Sequence, residues 1–561
     1  MRPRSVALFI RSREIRIFAI SRAKSWYKEK VFCSGSRTSF RYDAALFFVL
    51  LNRLFRRPDM ELTFDRGLVA LRKSCSVGKI LGRMPTKQLR FSPHSLPAAV
   101  RKAVVANTWD DYNDPSSFGE IYNFKFGALP EQATLPVVPW TDTYWPSQES
   151  GIAHRWNSRT PEDFKYKLYT QDELKNLTAT ELKKLSPAEK YDIFMGRFDY
   201  PIVRSEWLRT SPTNAGWEGL CHGWAPAAGF YTEPSPMSLK TESGIVLEFG
   251  SADVKALLTY FNAEYVHTNS YFLSQRCEYD LDSMPEKGDV PECADMHAAT
   301  LHLVLTNQIG GNISKFFVAD VDRGYAVWNQ PVHKYVYQVI SNRNATNSSA
   351  PGTVREVRIN TVMHYARESS PRWESHKNDP VTYRKYYDYW LELDANDTIV
   401  GGSWESTERS DFAWKNALPP FSGYFKNLAR LYALSTGQPD PVNVTNPIVT
   451  PLLFKSKHSV HTERVGSFSV ENYVASHEQS WTIAPRGAKT IAITFPKFST
   501  EHNFDKVKVY EGLDGQGALL AVLHGERSSK TYKFDAAAVH VTFVADRNGG
   551  GDGFRAVYKG L

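Results

Sequence analysis

The clearest hydrophobic pattern of the chain lies near its C-terminus, where apolar and polar residues alternate in short runs. The runs at 490–495, 506–510 and 540–544 repeat with a period of two and are separated by glycine-rich turns. This alternation is typical of strands that bury one face, and a succession of such strands over about 95 residues is typical of a β-sandwich. We therefore predict an all-β sandwich at the C-terminal end of the chain.

A second pattern occupies the middle of the chain, where helical signals precede short apolar runs. The segment 186–189 carries a capping serine, a proline in the first turn and a glutamate at the third helical position. A helix-like stretch begins near Cys221 and is followed by apolar runs at 301–309, 316–320 and 325–332, which we interpret as consecutive strands. Helices followed by a sheet indicate an α+β core.

Charge separates the N-terminal segment from the rest of the chain. Residues 1–102 carry 23 lysines and arginines against 6 acidic residues, whereas the remaining residues carry 45 against 54. An apolar stretch at 44–51 has the length of a signal-peptide core but lies too far from Met1. We expect 1–104 to be irregular, either as an unusual targeting segment or as upstream sequence wrongly joined to the gene.

The predicted organisation places the α+β core at 105–435, a linker rich in Pro, Thr, Asn and Ser at 436–463, and the sandwich at 464–561. The mildly acidic balance of this body disfavours a nucleic-acid partner. No run of about 18 uncharged apolar residues is present, so the sequence predicts no transmembrane segment.

The cysteines point to an oxidising compartment. Cys277 and Cys293 enclose a polar, turn-rich loop, which predicts a disulfide between them. That pairing leaves Cys221 as the odd thiol of the body, and such a thiol is intermolecular, reactive or simply buried. Asn344 and Asn347 begin glycosylation sequons in a run that we expect to form an exposed loop.

Cys221 is the candidate nucleophile. Small and aromatic residues around it suit the N-terminus of a helix, where the dipole would lower the thiol pKa and backbone N–H groups could hold an oxyanion. A thiolate needs a basic histidine, and that histidine needs an acceptor to orient it. His302 is the candidate base and Asp320 its candidate partner. His297 is the alternative base, whereas His222 is expected to point elsewhere on the helix.

A specific motif follows these residues, namely Val327-Trp328-Asn329-Gln330-Pro331-Val332. It resembles the Val-Trp-Asn-Gln-Pro-Val core of the surface peptide in oomycete transglutaminase elicitors, which plants perceive as a danger signal. The segments 140–146, 185–191 and 391–404, the Cys221 segment and the His302–Asp320 pair resemble the same family in the same order. The resemblance covers roughly 135–435.

This resemblance implies a papain-like, transglutaminase-like fold and a calcium-assisted protein-glutamine γ-glutamyltransferase secreted to the cell wall. Cys221 would attack a glutamine carboxamide and expel ammonia, and the thioester would pass to a lysine amine to form an isopeptide crosslink. By position, His302 would be the base and Asp320 its orienting partner, with Asn329 as the other candidate for that third role. The implied partners are proteins with accessible Gln and Lys side chains.

Two positions depart from the family pattern. The family has His-Pro before an Asp-Phe near the Trp404 block, whereas this chain has Arg409-Ser410 there. If that histidine is catalytic, the departure predicts weak or no activity. The continuation His333-Lys334 also differs from the elicitor peptide, which argues against recognition by plants.

Residues 464–561 resemble a CUB domain, a β-sandwich used for binding. Calcium-binding members of that family place acids on two loops at one end, and Glu501, Asp505 and Asp546 match them in order. Clustered carboxylates suit calcium, which takes six to eight oxygen ligands. The resemblance implies a calcium site and binding to a cell-wall glycoprotein or carbohydrate, and the alternative is a set of solvated loop acids.

Two other functions remain open beside a secreted transglutaminase. A papain-like cysteine protease also proceeds through a thioester and differs in using water as the acceptor. A catalytically impaired elicitor or binding protein is favoured by the changed position at Arg409.

Overall fold

The computed structural model describes most of the chain beyond residue 107. Its internal contacts divide the chain into two compact units, 1–101 and 102–561. Beyond 107, the described residues are 108–155, 164, 166–265, 270–277, 284, 293, 295–311, 313, 315–324, 326–377, 380–438, 457–546 and 550–561. Among the described residues, no helix combines the length and the apolar character needed to pass through a membrane.

The unit 1–101 is described only as six short strands. They are β1 (Val6–Arg11), β2 (Glu14–Ala19), β3 (Lys28–Phe32), β4 (Ser39–Asp43), β5 (Met60–Asp65) and β6 (Leu68–Lys73). Four form a sheet in the order β1–β2–β6–β5, and β3 pairs with β4. The interpretations of 1–104 as a targeting or wrongly joined segment fall mostly on residues outside the described ones.

The described part of 102–561 contains eight α-helices. They are α1 (Gln171–Lys175), α2 (Ala179–Lys183), α3 (Pro187–Phe194), α4 (Pro201–Arg209), α5 (Cys221–Phe230), α6 (Ser251–Tyr260), α7 (Ala298–Val304) and α8 (Leu428–Ser435). Thr170, Thr178 and Ser186 each form a capping box with a glutamate three residues later. The helix start predicted at Ser186 is confirmed.

The prediction of a strand at 301–309 is wrong, because this run is the end of α7 and a π-helical turn at Leu305–Ile309. A continuous apolar run does not distinguish a buried helix from a buried strand. His297 caps the helix, since its Nδ1 accepts a hydrogen bond from Ala299 N at 3.3 Å. His302 therefore lies on a helix and not at the start of a strand.

A large antiparallel sheet of eight described strands supports the site. The strands outside the C-terminal sandwich are β7 (Gln132–Thr134), β8 (Met237–Lys240), β9 (Val246–Phe249), β10 (Tyr271–Leu273), β11 (Phe317–Ala319), β12 (Gln330–Asn344), β13 (Arg355–Ala366), β14 (Thr382–Leu393), β15 (Ile399–Trp404) and β16 (Ala413–Lys415). The sheet order is β10–β16–β11–β12–β13–β14–β15, with β7 also paired to β12, while β8 and β9 pair separately. The strand predicted at 316–320 is confirmed as β11, whereas the run at 325–332 enters a strand only at Gln330.

Two hydrophobic clusters fill this part of the molecule. The first joins α3 to α6 and α8 and includes Trp224 and Phe425. The second lies between α7 and the large sheet and includes Leu303 and Tyr335. This division matters for the site because α5, which carries Cys221, packs in the first cluster and α7 packs in the second.

The C-terminal residues form the predicted sandwich of two sheets. The strands are β17 (Lys457–His461), β18 (Val465–Val474), β19 (Glu478–Ile483), β20 (Ile491–Ser499), β21 (Lys506–Glu511), β22 (Leu519–Leu523), β23 (Lys530–Phe534), β24 (Val539–Val544) and β25 (Gly550–Gly560). One sheet runs β17–β19–β24–β21–β22 and the other β18–β25–β20–β23. An α+β core followed by an all-β sandwich confirms the predicted fold class. The strand β17 lies inside the predicted linker, and 439–456 lie outside the described residues.

The sandwich packs directly against the helices of the core. Leu519 and Val522 of β22 belong to the same hydrophobic cluster as α3 to α6. Lys506 Nζ lies 2.9 Å from Glu264 Oε1, and further ion pairs cross the same boundary. The two parts therefore form one packed unit.

Candidate functional site

Cys221 is the first residue of α5, as predicted. Leu220 N donates a hydrogen bond to Tyr144 O at 2.6 Å, which holds the start of the helix against the proline- and tryptophan-rich segment. Gly219 is required here because a Cβ atom would lie 2.5 Å from Tyr144 O. Among the described residues Cys221 is the free cysteine, and 4% of it is exposed.

The sulfur of Cys221 contacts an amide and a carbonyl group. Asn329 Nδ2 donates to Sγ at 3.4 Å, and Sγ donates to Val327 O at 3.7 Å. Trp414 Nε1 donates to Asn329 Oδ1 at 2.7 Å and so fixes the orientation of the amide. Hydrogen bonds therefore connect the Trp414 indole to the Asn329 amide and the amide to the sulfur. No imidazole contacts the sulfur among the residues that the structure describes.

Burial raises the pKa of the Cys221 thiol to about 11. The hydrogen bonds from Asn329 act in the opposite direction, and the negative charges of Glu368 and Asp320 reinforce the increase. The prediction that the helix N-terminus would lower this pKa is therefore wrong, because desolvation of the charged form outweighs the dipole. At neutral pH the sulfur is a protonated thiol.

His302 is not brought to Cys221. Its Nδ1 lies 2.9 Å from Tyr389 Oη, and its ring packs against Phe126 and Tyr337 in the second hydrophobic cluster. Burial lowers the pKa of His302 to about 3, so the ring is neutral. The geometry contradicts a Cys221–His302 pair. The side chain of His302 lies between α7 and the large sheet, where it packs in the second hydrophobic cluster.

Asp320 follows β11 directly and organises the loop beside the sulfur. Its carboxylate accepts hydrogen bonds from Trp328 N at 2.9 Å and Asp322 N at 3.2 Å. Burial raises its pKa well above the usual range, and the nearby charge of Asp411 adds to the increase. Asp320 therefore holds the loop that carries Asn329 and does not orient His302.

Arg409, at the position where the family pattern has histidine, forms an ion pair away from the sulfur. Its Nη1 lies 3.3 Å from Asp295 Oδ2, and Arg323 Nε lies 2.9 Å from the same atom. The backbone that follows returns to the site, since Asp320 N donates to Phe412 O at 3.0 Å. The Arg409 guanidinium therefore pairs with Asp295, while the backbone three residues later pairs with Asp320 beside the site.

A cavity of about 400 Å³ adjoins Cys221. The core and the sandwich both contribute to its wall, and the residues that matter below are Trp414, Arg276, Phe504, Lys508 and Asp546. Lys508 is buried, and desolvation lowers its pKa to about 7. A space with aromatic walls and a few charged groups is typical of a ligand site.

The two histidines of this cavity are also neutral. His222 Nε2 lies 3.7 Å from Glu264 Oε1, and burial lowers the pKa of His222 to about 4. His524 Nδ1 accepts a hydrogen bond from Asn503 N at 3.0 Å, and burial holds its pKa well below the usual range. Neither ring contacts the Cys221 sulfur.

The motif Val327–Val332 forms one wall of the Cys221 site. Five of its six side chains are buried, and Trp328 is half-buried. The Trp328 ring makes an edge-on contact with Tyr144 at a centroid distance of 5.2 Å. In this structure the motif is therefore packed into the protein and is not exposed as a surface peptide.

Glu501, Asp505 and Asp546 lie together at one end of the sandwich, with ligand atoms all within 4.8 Å of one another. Carboxylate oxygens in this number fit a calcium ion chemically. However, Arg276 of the core reaches into the cluster, with Nη1 3.0 Å from Asp546 Oδ2 and Nη2 in contact with Glu501 Oε1. The acids are therefore not solvated loop groups.

The predicted disulfide and glycosylation residues lie outside the Cys221 site. Cys277 and Cys293 are joined by a disulfide bond. Asn344, at the end of β12, and Asn347, in the loop that follows, are exposed. Their glycosylation stays a prediction.

Sequence reasoning missed three residues of the site. Trp414 orients Asn329, and its signal was available because it closely follows the Asp411-Phe412 pair that resembles the family pattern. Glu368 acts on the thiol by its charge, and burial raises its own pKa to about 7. Neither Glu368 nor Arg276 stands in a recognisable local pattern, since both act across long chain separations.

Comparisons with known proteins match two parts of this chain to family models. Residues 211–423 match the family model described as transglutaminase elicitor, and 456–558 match the model of the CUB domain. These matches confirm both resemblances. No curated protein matches the chain.

Three solved structures illustrate the similarity. The GP42 transglutaminase from Phytophthora sojae is 19% identical, with 59% of this chain and 99% of that chain covered and a TM-score of 0.44. The MASP-1 CUB2 domain bound to Ca²⁺ is 22% identical, covering 18% of this chain and 96% of that chain, with a TM-score of 0.16. The CUB1-EGF-CUB2 domains of rat MASP-1 are 21% identical, covering 18% and 42%, with a TM-score of 0.17.

Proposed function

We propose that this protein is an extracellular, transglutaminase-elicitor-like binding protein in which Cys221 lines a ligand cleft and acyl transfer is impaired. The observation that carries the proposal is the contact of Asn329 Nδ2 with Cys221 Sγ at 3.4 Å. An amide N–H donates to sulfur but cannot accept the thiol proton, and the Val327 carbonyl is not a base either. Among the described residues the sulfur has hydrogen-bond partners but no base in contact.

The electrostatics of the site support the same conclusion. With a pKa of about 11 for the Cys221 thiol, roughly one sulfur in ten thousand is ionised at pH 7. A nucleophilic cysteine in an enzyme is normally ionised by a neighbouring imidazolium or a favourable field. The buried carboxyl groups of Glu368 and Asp320 oppose ionisation instead.

The cavity suits a protein ligand. Its volume of about 400 Å³ accommodates side chains of an inserted segment, and Trp414 and Phe504 offer aromatic contacts. We propose that the partners expected from the sequence, proteins with accessible Gln and Lys side chains, bind in this cleft. The CUB-like sandwich would attach the protein to a cell-wall glycoprotein or carbohydrate, with calcium at Glu501, Asp505 and Asp546.

A second candidate is an active protein-glutamine γ-glutamyltransferase, and Glu368 favours it. This carboxyl group has a pKa raised to about 7 by burial, and its Oε1 has no hydrogen-bond partner among the described residues. Glu368 would take the Cys221 proton, and the sulfur would attack the glutamine carboxamide carbon. Glu368 would then return the proton to the nitrogen, the C–N bond would break, and ammonia would leave. A lysine amine would then attack the thioester and release Cys221.

An amine-incorporation assay separates these functions. The protein is incubated with casein and a fluorescent primary amine, with and without calcium. We expect neither incorporation nor cleavage above the level of the Cys221→Ser variant. Cysteine-dependent incorporation would establish the transferase, and cysteine-dependent cleavage would establish a protease.

A further inference from the structure

The cavity beside Cys221 contains a buried amine that the proposed function does not use. Lys508 is the third residue of β21, and 2% of it is exposed. Tyr510, two residues later on the same face of the strand, packs in the first hydrophobic cluster with the core helices. Lys508 therefore extends from the sandwich towards the core, where it lines the cavity.

Lys508 has no counter-ion of its own. The negative charge of Glu264 acts on it, but Glu264 Oε1 already lies 2.9 Å from Lys506 Nζ. Among the described residues, no hydrogen bond or ion pair engages the Lys508 amine. A buried ammonium without a partner is costly, and the adjacent positive charge of Lys506 adds to that cost. Both effects favour the neutral amine, and the pKa of Lys508 is lowered to about 7, mainly by burial.

The neighbours of Lys508 in the sheet provide an apolar side and a polar side. Val522 and Thr542 lie directly opposite Lys508 on β22 and β24, and residues in such pairs share one face of a sheet. Val522 belongs to the first hydrophobic cluster. Thr542 Oγ1 is buried and has no hydrogen-bond partner among the described residues. A desolvated amine is a nucleophile, and a hydroxyl beside it can donate to a carbonyl oxygen.

We propose that Lys508 is a covalent binding site for an aldehyde, which it captures as an imine in the cavity beside Cys221. The neutral nitrogen attacks the carbonyl carbon, and one N–H proton passes to the oxygen to give a carbinolamine. The second N–H proton then leaves with the hydroxyl group as water while the C=N bond forms. No oxidant or reductant is needed. The aldehyde is a different ligand from the protein partners proposed above, so the inference stands apart from them.

Reductive trapping tests this site in the full chain. The protein is incubated at pH 7 with limiting propanal and sodium cyanoborohydride, which converts an imine into a stable secondary amine. Peptide mapping by mass spectrometry then gives the rate of propylation of each lysine. About half of Lys508 is neutral at pH 7, against roughly one in 2,500 for an exposed lysine of ordinary pKa. We expect Lys508 to be propylated faster than Lys533 by a factor of about ten or more.

Two lysines of the same chain are the matched controls. Lys533 is exposed on β23, whereas Lys506 lines the same cavity and is paired with Glu264, so it should react more slowly than Lys508. The ratio of the Lys508 rate to the Lys533 rate should fall about tenfold or more between pH 7 and pH 9, because only the ordinary lysine gains much neutral amine over that range.

Unfolding in urea should abolish the preference for Lys508, since the amine is then solvated like any other. Propylation of Lys508 no faster than that of Lys533 at pH 7 would overturn the proposal. A ratio that does not change with pH, or a preference that survives in urea, would overturn it as well, because neither result would come from a desolvated amine in a folded cavity.

Discussion

At the scale of single residues, the chemistry of the site depends on what surrounds the sulfur of Cys221. Position at a helix N-terminus favours a thiolate, whereas burial and two nearby carboxyl groups favour the thiol. Burial has the larger effect here. The side chain of Asn329 contacts the sulfur as a hydrogen-bond donor, so this contact does not supply a proton acceptor.

Labelling of Cys221 should follow an unusual pH profile. Because the pKa of the buried thiol is raised to about 11, the alkylation rate should rise about tenfold for each pH unit between roughly pH 7 and 10. An ordinary exposed cysteine would level off near pH 9. Iodoacetamide labelling of the Cys221 peptide, quantified by mass spectrometry, measures the profile, and a plateau below pH 9 would contradict the assignment.

Replacement Glu368→Gln distinguishes an electrostatic role of this carboxyl group from a role as base. The Glu368 pKa is raised to about 7 by burial, so its negative charge develops between pH 6 and pH 8 and disfavours the thiolate. The variant should therefore label Cys221 about two- to tenfold faster than the parent at pH 8, with little difference at pH 6. Slower labelling in the variant would instead identify Glu368 as the proton acceptor.

The sequence singles out Cys221 but predicts only part of its surroundings. Cys221 could be singled out because its flanking residues predict a helix N-terminus and because the other two cysteines of the body suit a disulfide. His302 could not be excluded, since an apolar run does not reveal whether a histidine faces a cleft or a core. Glu368 lies 147 positions from Cys221, and only the folded sheet brings its charge to bear on the sulfur.

At the scale of elements, the packing of α5 against α6 fixes the position of the sulfur. Gly223 is the third residue of α5, where a Cβ atom would meet Thr259 O at 2.3 Å and Ala263 N at 2.8 Å. The two backbones thus approach too closely for any larger residue. The depth of Cys221 in the core is a consequence of this contact.

Gly223→Ala should lower the free energy of unfolding by about 1–3 kcal/mol, because backbone atoms cannot move aside as a side chain can. Gly324→Ala is a suitable control, since the nearest atom to its Cβ would be 3.9 Å away. Denaturant unfolding followed by tryptophan fluorescence measures both. Equal stability of the two variants would show that the helices can separate at little cost.

Elements with strong local signals were predictable, whereas continuous apolar runs gave one correct strand, β11, and one wrong one at 301–309. Ser186 and Glu189 specify a helix start through their own hydrogen bonds, so the signal is contained in four residues. The alternation in β20 reflects one buried face and is equally local. In β21 and β24 the sequence also alternates, but nearly every residue is buried. The run 298–309 is buried on all sides, and its helical state depends on the large sheet against which it packs.

At the scale of the whole molecule, buried ion pairs join the sandwich to the core. Glu264 is fully buried, and Lys506 Nζ at 2.9 Å holds its pKa well below the usual range against the effect of burial. Removal of one partner would leave a charge in the interior without compensation. The association of the two parts therefore depends on polar contacts as well as on Leu519 and Val522.

Lys506→Met should lower the free energy of unfolding by about 3–5 kcal/mol, since the Glu264 carboxylate would lose its partner. The double variant Lys506→Met/Glu264→Leu should recover most of this loss, because no buried charge remains. Arg197→Met, which affects a partly exposed pair with Glu511, should cost at most about 1 kcal/mol. Thermal and denaturant unfolding of the three variants test this order, and equal losses would refute it.

The burial of the motif Val327–Val332 has a consequence for any receptor that binds it. Gln330, Pro331 and Val332 pair with β11, so the backbone groups that a peptide receptor would grip are already used inside the sheet. A receptor could bind the hexapeptide only after proteolysis or unfolding separates this strand from β11. A receptor that binds the hexapeptide would then report the amount of degraded or unfolded protein, and its response would lag behind the appearance of the intact protein.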